Sequence, residues 1–202
     1  MNENCQTFPW YGWSGKQSRL VVLVKNFVFF SFLITLMSQA ACGGTSRASQ
    51  NIDPCSAAER LKQELATVGV ERFTAPDYKP GMIRHIVLFR YNEAVSPEQK
   101  EEVIRRFLAL RTLSKRNGNT YIVSIETGSE ISGEGLDQCL EQGFIVTFKS
   151  QGDRNYYVGQ PIVTDSRFYD LAHQAFKDFV GPLLDQNGAL VFDFSVGKCI
   201  RH

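Results

Sequence analysis

Two of the three histidines in the sequence lie in segments where an imidazole could do chemistry. His85 lies within the apolar segment 83–91, and an imidazole with an ordinary pKa of about 6.5 can act as a general base near neutral pH. A hydrogen-bonded histidine in a structural core is the alternative interpretation. His173 lies beside the apolar stripe of a predicted helix, so it could face a cavity beneath that helix or serve only in packing. The third, His202, is the C-terminal residue.

Phenol and carboxyl side chains could complete such a site. Tyr156 and Tyr157 offer hydroxyl donors to a ligand, or they bury their rings and leave the hydroxyls in water. Asp193 interrupts the apolar run of the last predicted strand, where it could orient a base or be solvated at an edge. The two tyrosines lie in segment 152–165, which is too long for a simple connection and is predicted to be a lid over a pocket or a flexible insertion.

The composition excludes several kinds of function. The 202 residues carry 22 basic and 21 acidic side chains, so the chain lacks the large positive field that binds nucleic acid. The five cysteines are irregularly spaced with few histidines nearby, so we expect no structural metal, and no motif indicates a cofactor. In an oxidising compartment Cys55, Cys139 and Cys199 could supply one disulfide and one thiol, with the pairing left open. Hydrophobic residues make up 43% of the chain, which is enough for one globular core.

Residues 1–41 are predicted to be a signal peptide. The unbroken apolar stretch 27–37 follows three basic residues and precedes a run of small residues, which is the order of an export signal. This stretch is shorter than the roughly 20 apolar residues that a membrane-spanning helix needs. Because the segment before it is unusually long and aromatic for a signal peptide, we expect translation to start nearer Val21 or Val24.

Cys42 is a candidate lipidation site. The sequence Ala40-Ala41-Cys42 resembles the end of a bacterial lipoprotein signal, in which the cysteine thiol is lipidated and becomes the new N-terminus. Residues 38–40 also satisfy the small-x-small rule for ordinary cleavage, so a soluble periplasmic or secreted protein is the alternative. We expect an exported protein of the cell envelope that a lipid anchor holds at the membrane.

Residues 42–81 are predicted to be a tether, a short helix and a linker. Asp53 and Pro54 supply a cap and a proline for the first helical turn, and apolar residues at helical spacing follow until Gly69. Residues 70–81 contain two prolines and are predicted to be extended.

The rest of the chain predicts four strands and two helices. The first helix should begin at Ser96 and Pro97, with Gln99 completing a capping box. The second should begin at Asp165, where apolar residues recur every three or four positions, and should kink near Pro182. The predicted elements, in order, are a strand at 83–91, a helix from 97, strands at 121–127 and 144–149, a helix at 165–183 and a strand at 189–196. The order β-α-β-β-α-β is that of a ferredoxin-like α+β sandwich, with two helices on one face of the sheet.

The other face of this sheet needs a cover. Ile86 and Leu88 place apolar side chains on the second face of the first strand, and Val191 adds another apolar residue on the last strand. An open apolar face is a liability unless a partner closes it. We therefore expect a homodimer.

Five short segments carry a resemblance to a known family. They are IRHIVLF (83–89), FIVTFKS (144–150), HQAF (173–176), PLL (182–184) and VFDF (191–194). In this order they resemble the stress-responsive A/B barrel (Dabb) family. The resemblance implies a dimeric α/β barrel of ferredoxin-like subunits, with the domain at 82–198 and a short tail at 199–202.

The resemblance also implies candidate site residues. One plant member of the family is a polyketide cyclase, and its acid–base pocket corresponds here to His85, Tyr157 and His173. The chain departs from the family pattern in two places. An insertion precedes His173, and Gln142 stands where the family has a further pocket histidine.

Three functional hypotheses follow. The first is a dimer at the cell envelope that binds a small apolar or aromatic ligand near His85, Tyr157 and His173. The second is a polyketide-cyclase-like enzyme, in which one histidine removes a proton next to a carbonyl group and the tyrosine steadies the enolate. The third is a purely structural dimer without a cavity or a ligand.

Overall fold

The structure is a computed structural model that describes residues 56–197 of the chain. The predicted signal peptide, Cys42 and the tail therefore lie outside the described residues. The first helix does not begin at Pro54 with Asp53 as its cap, because Ser56 caps it and Ala57 is its first residue. Between residues 56 and 197, none of the helices has the length and apolar character that crossing a bilayer requires. The same residues contain no cluster of three or more histidine, cysteine, aspartate or glutamate side chains that could hold a metal ion.

Five helices and six strands make up the described part of the chain. They are α1 (Ala57–Val68), α2 (Val70–Phe73), β1 (Pro80–Tyr91), α3 (Pro97–Leu113), β2 (Lys115–Arg116), β3 (Asn119–Thr120), β4 (Ser124–Ser129), β5 (Gln142–Ser150), α4 (Gln151–Val158), α5 (Leu171–Val180) and β6 (Leu184–Ser195). Short 3-10 turns at Ser166–Phe168 and Gly181–Leu183 flank α5.

Four of the strands form one antiparallel sheet in the order β4-β5-β1-β6. This is the predicted ferredoxin-like topology, with the long first strand β1 in the interior of the sheet. The register places His85 of β1 opposite Val146 of β5 on one side and opposite Asp193 of β6 on the other. Residues opposite one another in an antiparallel pair point to the same face, so Asp193 shares the face of His85.

Helices α3, α4 and α5 cover that face. Alternate residues of β1 are buried beneath them, and so are alternate residues of β5. The capping box predicted for α3 is present, because the Ser96 hydroxyl accepts from the Gln99 amide nitrogen and the Gln99 side chain accepts from the Ser96 amide. The core on this face contains the stacked rings of Phe107 and Phe144, whose centroids are 3.9 Å apart.

Segment 152–165 is not the predicted lid or flexible insertion, because its first half forms α4. The Ser150 hydroxyl accepts from the Asp153 amide at 2.9 Å and starts the helix directly after β5. The buried face of α4 carries Gly152, Asp153, Asn155 and Tyr157 rather than an aliphatic stripe, so hydrophobic periodicity did not indicate a helix.

The predicted helix from Asp165 is shorter in the structure. Asp165 caps only a 3-10 turn, and α5 begins at Leu171 because the Asp170 carboxylate accepts from the His173 amide at 3.0 Å. At the other end, α5 gives way at Gly181 to a 3-10 turn that contains Pro182. Two strand predictions also shift, since β4 begins at Ser124 after the small β2–β3 hairpin and β6 begins at Leu184.

Residues 70–81 are not the predicted extended linker. Phe73 at the end of α2 and Tyr78 in the following turn are buried, and they pack with Val163 and Tyr169 in a second small core. The chain passes so close to α4 that a Cβ atom on Gly152 would lie 1.8 Å from the carbonyl oxygen of Ala75. The segment that precedes the ferredoxin-like domain is therefore packed onto it.

Candidate functional site

The three predicted site residues meet beneath the helices. His85 comes from the middle of β1, Tyr157 from the last turn of α4 and His173 from the first turn of α5. The rings of Tyr157 and His173 are stacked with centroids 3.8 Å apart, and His85 stands edge-on to Tyr157 at 5.7 Å. We call these three residues the aromatic cluster.

Asp193 joins this cluster through His85. Its Oδ1 atom lies 2.6 Å from His85 Nδ1, a contact that the antiparallel register of β1 and β6 makes possible. A carboxylate on one ring nitrogen fixes the ring orientation and leaves the other nitrogen for a second partner. Of the two alternatives left open for Asp193, this geometry is that of a residue that orients a histidine.

Arg154 is a member of the site that the sequence analysis missed. Its guanidinium lies 3.3 Å from Asp193 Oδ2, so the carboxylate bridges Arg154 and His85. Burial lowers the pKa of Arg154, while the charges of Asp193 and Glu64 act in the opposite direction. The three-residue spacing to Tyr157 would have placed both side chains on one helix face, but only if α4 had been recognised.

His173 is held as a neutral imidazole. Its Nδ1 lies 2.7 Å from the carbonyl oxygen of Tyr157, so the Nδ1–H group donates and Nε2 carries no proton. Burial lowers the pKa of His173 to about 3, and the electrostatic influence of Lys177 and then of the neighbouring His85 acts in the same direction. Near neutral pH, His173 carries no charge, and its Nε2 atom can accept a hydrogen bond.

The Tyr157 hydroxyl is buried without a partner. It has no hydrogen-bond acceptor in the part of the chain that the structure describes, although the side chain is fully buried. Burial, with a smaller contribution from Asp170, raises the pKa of Tyr157 well above its usual value. The group is therefore a phenol that keeps its proton, and it is a donor rather than a base.

The helix that carries Arg154 and Tyr157 is fixed at both ends. Midway along the helix the Asn155 side-chain amide donates to the Phe73 carbonyl at 2.8 Å. At its end Lys177 of α5 donates to the carbonyls of Val158 at 3.0 Å and Gln160 at 3.1 Å. The position of Tyr157 thus depends on α2 and on α5, neither of which is part of the sheet.

Two other residues considered in the sequence do not join the aromatic cluster. Tyr156 points away from it, with its ring 4.1 Å from the guanidinium of Arg116. Gln142 lies four residues along β5 from Val146, the partner of His85, and donates to Thr127 Oγ1 at 2.7 Å. The three residues that the resemblance implied thus lie together, whereas Gln142 serves the pairing of β4 and β5.

The aromatic cluster is buried. His85, Tyr157 and His173 line neither the cleft at the β2–β3 hairpin nor the cleft beside Leu88 and Leu190. Val191 of β6, which lies on the face of His85 two residues before Asp193, is 56% exposed.

The sheet and helices match a known protein family. The model of the Stress Responsive A/B Barrel Domain family matches residues 83–196, which is more than half of the chain. No curated protein matches the chain significantly.

Several solved structures are similar. A protein from Arabidopsis thaliana, At3g17210, is 26% identical, covers 57% of this chain and 96% of its own, and has a TM-score of 0.46. A hydroxynitrile lyase from Passiflora edulis is 17% identical with a TM-score of 0.47, covering 60% of this chain and 99% of its own. A dabb family protein with a ferredoxin-like fold from Mesorhizobium loti is 24% identical with a TM-score of 0.41, covering 58% and 99%.

Proposed function

We propose that this chain, which belongs to the stress responsive A/B barrel domain family, binds a small apolar or aromatic molecule at the aromatic cluster. The ligand would carry an oxygen acceptor, such as a carbonyl group, for the Tyr157 hydroxyl. The His85–Asp193 pair would supply the second polar contact.

The unpartnered hydroxyl of Tyr157 carries this proposal. A buried polar group without a hydrogen bond costs about 1–3 kcal/mol, so such groups are rare in folded proteins unless a ligand or water satisfies them. The surrounding rings of His85, Phe148 and His173 favour a flat or apolar ligand body. The exposed edge at Val191 offers a way in.

The proposal is tested by replacing the hydroxyl alone. A thermal-shift screen of apolar aldehydes, ketones and phenols should find stabilising compounds, and calorimetry on the best one should show about tenfold weaker binding to Tyr157→Phe. Tyr91→Phe is a matched control, because the Tyr91 hydroxyl is also buried and unpartnered in the described residues and lies at the far end of β1. Equal affinity of both variants, or no stabilising compound, would count against the site.

A second candidate function is favoured by the His85–Asp193 contact. In a polyketide-cyclase-like reaction, His85 would take a proton from a carbon next to a carbonyl group while the Tyr157 hydroxyl donates to the enolate oxygen that forms. Asp193 would stabilise the resulting imidazolium. Turnover of a carbon acid that survives both His85→Ala and Asp193→Asn unchanged would exclude this role.

The open face of the sheet supports a homodimer. Leu190, Phe192 and Phe194 of β6 are exposed on the face opposite the helices, and they lie beside Ile86 and Leu88 of β1. An apolar surface of this kind is typical of an interface between subunits. We propose that a second copy of the chain covers this face, and sedimentation of a variant with polar residues on β6 tests it.

We also propose that the protein is exported and anchored by a lipid on Cys42. The supporting observation is in the sequence, where the apolar stretch 27–37 is followed by small residues and then by Cys42. Mass spectrometry of the membrane fraction should find a lipidated N-terminal Cys42, and Cys42→Ser should release the protein from membranes. An unmodified Cys42, or an unchanged distribution of the variant, would contradict the anchor.

A further inference from the structure

A cleft lies where the β2–β3 hairpin meets the start of α4, apart from the aromatic cluster. Its volume is about 550 Å³, and its walls come from the hairpin, the end of β5, the first turn of α4 and Pro76 of the segment before the domain. Pro76 lies outside residues 83–196, which match the family, so this cleft is partly built from the segment that precedes the family domain.

The floor of the cleft holds a cation that is poorly solvated. The Arg116 side chain is only 12% exposed, and its one ion pair is with Asp153 at 3.0 Å. Its Nε atom is buried and has no hydrogen-bond partner in the described part of the chain. Its other contacts are uncharged, since Nη2 donates to the Gly152 carbonyl at 3.4 Å and the Tyr156 ring lies 4.1 Å away. A buried guanidinium that is paired with a single carboxylate gains from a further anion placed near it.

The rim of the cleft adds a second cation. Lys149, at the end of β5, is exposed and lines the cleft, and the ion pairs between residues 56 and 197 do not include it. Asp153 is the acid of the lining, and its carboxylate is already shared with Arg116. The lining therefore keeps one positive charge in excess, from two cations and one anion.

The remaining walls are suited to a flat apolar group. The Tyr121 ring forms one side of the cleft together with Pro76, and the Tyr121 hydroxyl donates a hydrogen bond to the Asp170 carboxylate. The side-chain amides of Asn117 and Asn119 and the hydroxyl of Thr120 line the mouth and can donate to an oxygen anion.

We infer that this cleft binds a small organic anion, a carboxylate or phosphate monoester attached to a flat apolar group. The anionic oxygens lie between Lys149 and the guanidinium of Arg116, and the apolar group lies against Tyr121. This site is separate from the one proposed above, because the rings of Tyr121 and Phe148 stand between the cleft and Tyr157.

The inference is tested with matched charged and neutral probes. Calorimetry or NMR titration of the full protein should show saturable binding of benzoate and phenyl phosphate and no binding of benzamide. Lys149→Gln removes the free cation from an exposed position without disturbing the core, and it should weaken benzoate binding about tenfold. Lys115→Gln is the control, because Lys115 is exposed on the same hairpin but does not line the cleft.

Three outcomes overturn the inference. They are the absence of saturable binding by either anion, equal binding of benzoate and benzamide, and equal losses in Lys149→Gln and Lys115→Gln. The Tyr157→Phe variant separates this site from the other, because it should leave benzoate binding at the cleft unchanged. If instead that variant alone abolishes benzoate binding, the anion occupies the aromatic cluster and the cleft is empty.

Discussion

The two faces of the four-stranded sheet are built from the same strands but are finished differently. On the covered face, the side chains of Val87, Phe144 and Phe148 are buried under three helices. On the open face, Phe192 is 58% exposed although it lies beside Ile86 of the central strand. The chain thus completes one face by itself and leaves the other apolar.

The chemistry follows the covered face. His85 and Asp193 are opposite one another on the helix side, where Arg154 and Tyr157 of α4 approach them. Burial on that face strips water from the polar groups and makes their contacts specific. The open face carries shape and hydrophobicity instead, which are the properties that hold subunits together.

The largest expected effect comes from replacing one phenylalanine on each face of the sheet and comparing the losses of stability. Phe107→Ala should lower the free energy of unfolding by about 3–5 kcal/mol, because the ring is buried and stacked on Phe144. Phe192→Ala should cost less than about 1 kcal/mol at a dilution where the protein is monomeric, since that ring is already more than half exposed. Denaturant unfolding measures both, and equal losses would show that the two faces are not distinct.

The sequence predicted the elements whose buried faces are mainly hydrophobic. Helix α3 was predicted together with its Ser96–Gln99 capping box, and the order of the four main strands was also correct. Helix α4 was missed because its buried face consists of small, polar and aromatic residues. The structure of residues 70–81 was missed because Phe73 and Tyr78 find their packing partners far along the chain, at Val163 and Tyr169.

The candidate site was predictable only in part, for a related reason. Local patterns left His85, Tyr157 and His173 each with a structural alternative, and the family resemblance brought them together. The contact of Asp193 with His85 depends on the register of β1 and β6, which no local pattern specifies. Arg154 depends on α4 being a helix at all.

The next largest effect is a pH dependence confined to the covered face. The pKa of His173 is about 3 in the folded protein, against about 6.5 in the unfolded chain. Below pH 6.5 the unfolded state takes up a proton that the folded state does not, so this stabilising contribution is complete above pH 6.5 and is lost as the pH falls towards 3. Between pH 6.5 and 5 the loss should be about 2 kcal/mol, at about 1.4 kcal/mol per pH unit.

The His173→Asn variant isolates this contribution. Its amide nitrogen stands where Nδ1 does and can donate to the Tyr157 carbonyl but cannot titrate, so its unfolding free energy should fall less steeply over the same interval. Urea unfolding of both proteins at pH 6.5, 6.0, 5.5 and 5.0 measures the slopes, in a range above most carboxylate titrations. Parallel slopes would mean that His173 is not buried as a neutral group.

The smallest effect on subunit stability concerns the open face, where a substitution should change assembly instead. The double variant Leu190→Ser and Phe192→Ser removes two partly exposed apolar side chains from β6, and it should lower the unfolding free energy of the monomer by about 1 kcal/mol. The same change places two hydroxyl groups at the centre of the proposed interface, where they would be buried without partners, so the dimer should dissociate.

Sedimentation velocity over a range of concentrations should give a dimer for the original protein and a monomer for the variant. Leu113→Ser is the matched control, since Leu113 is 62% exposed at the end of α3, away from the open face, and should leave the dimer intact. If the double variant stays dimeric at every concentration, the partner does not bind the open face, and the contrast between the two faces has a cause other than assembly.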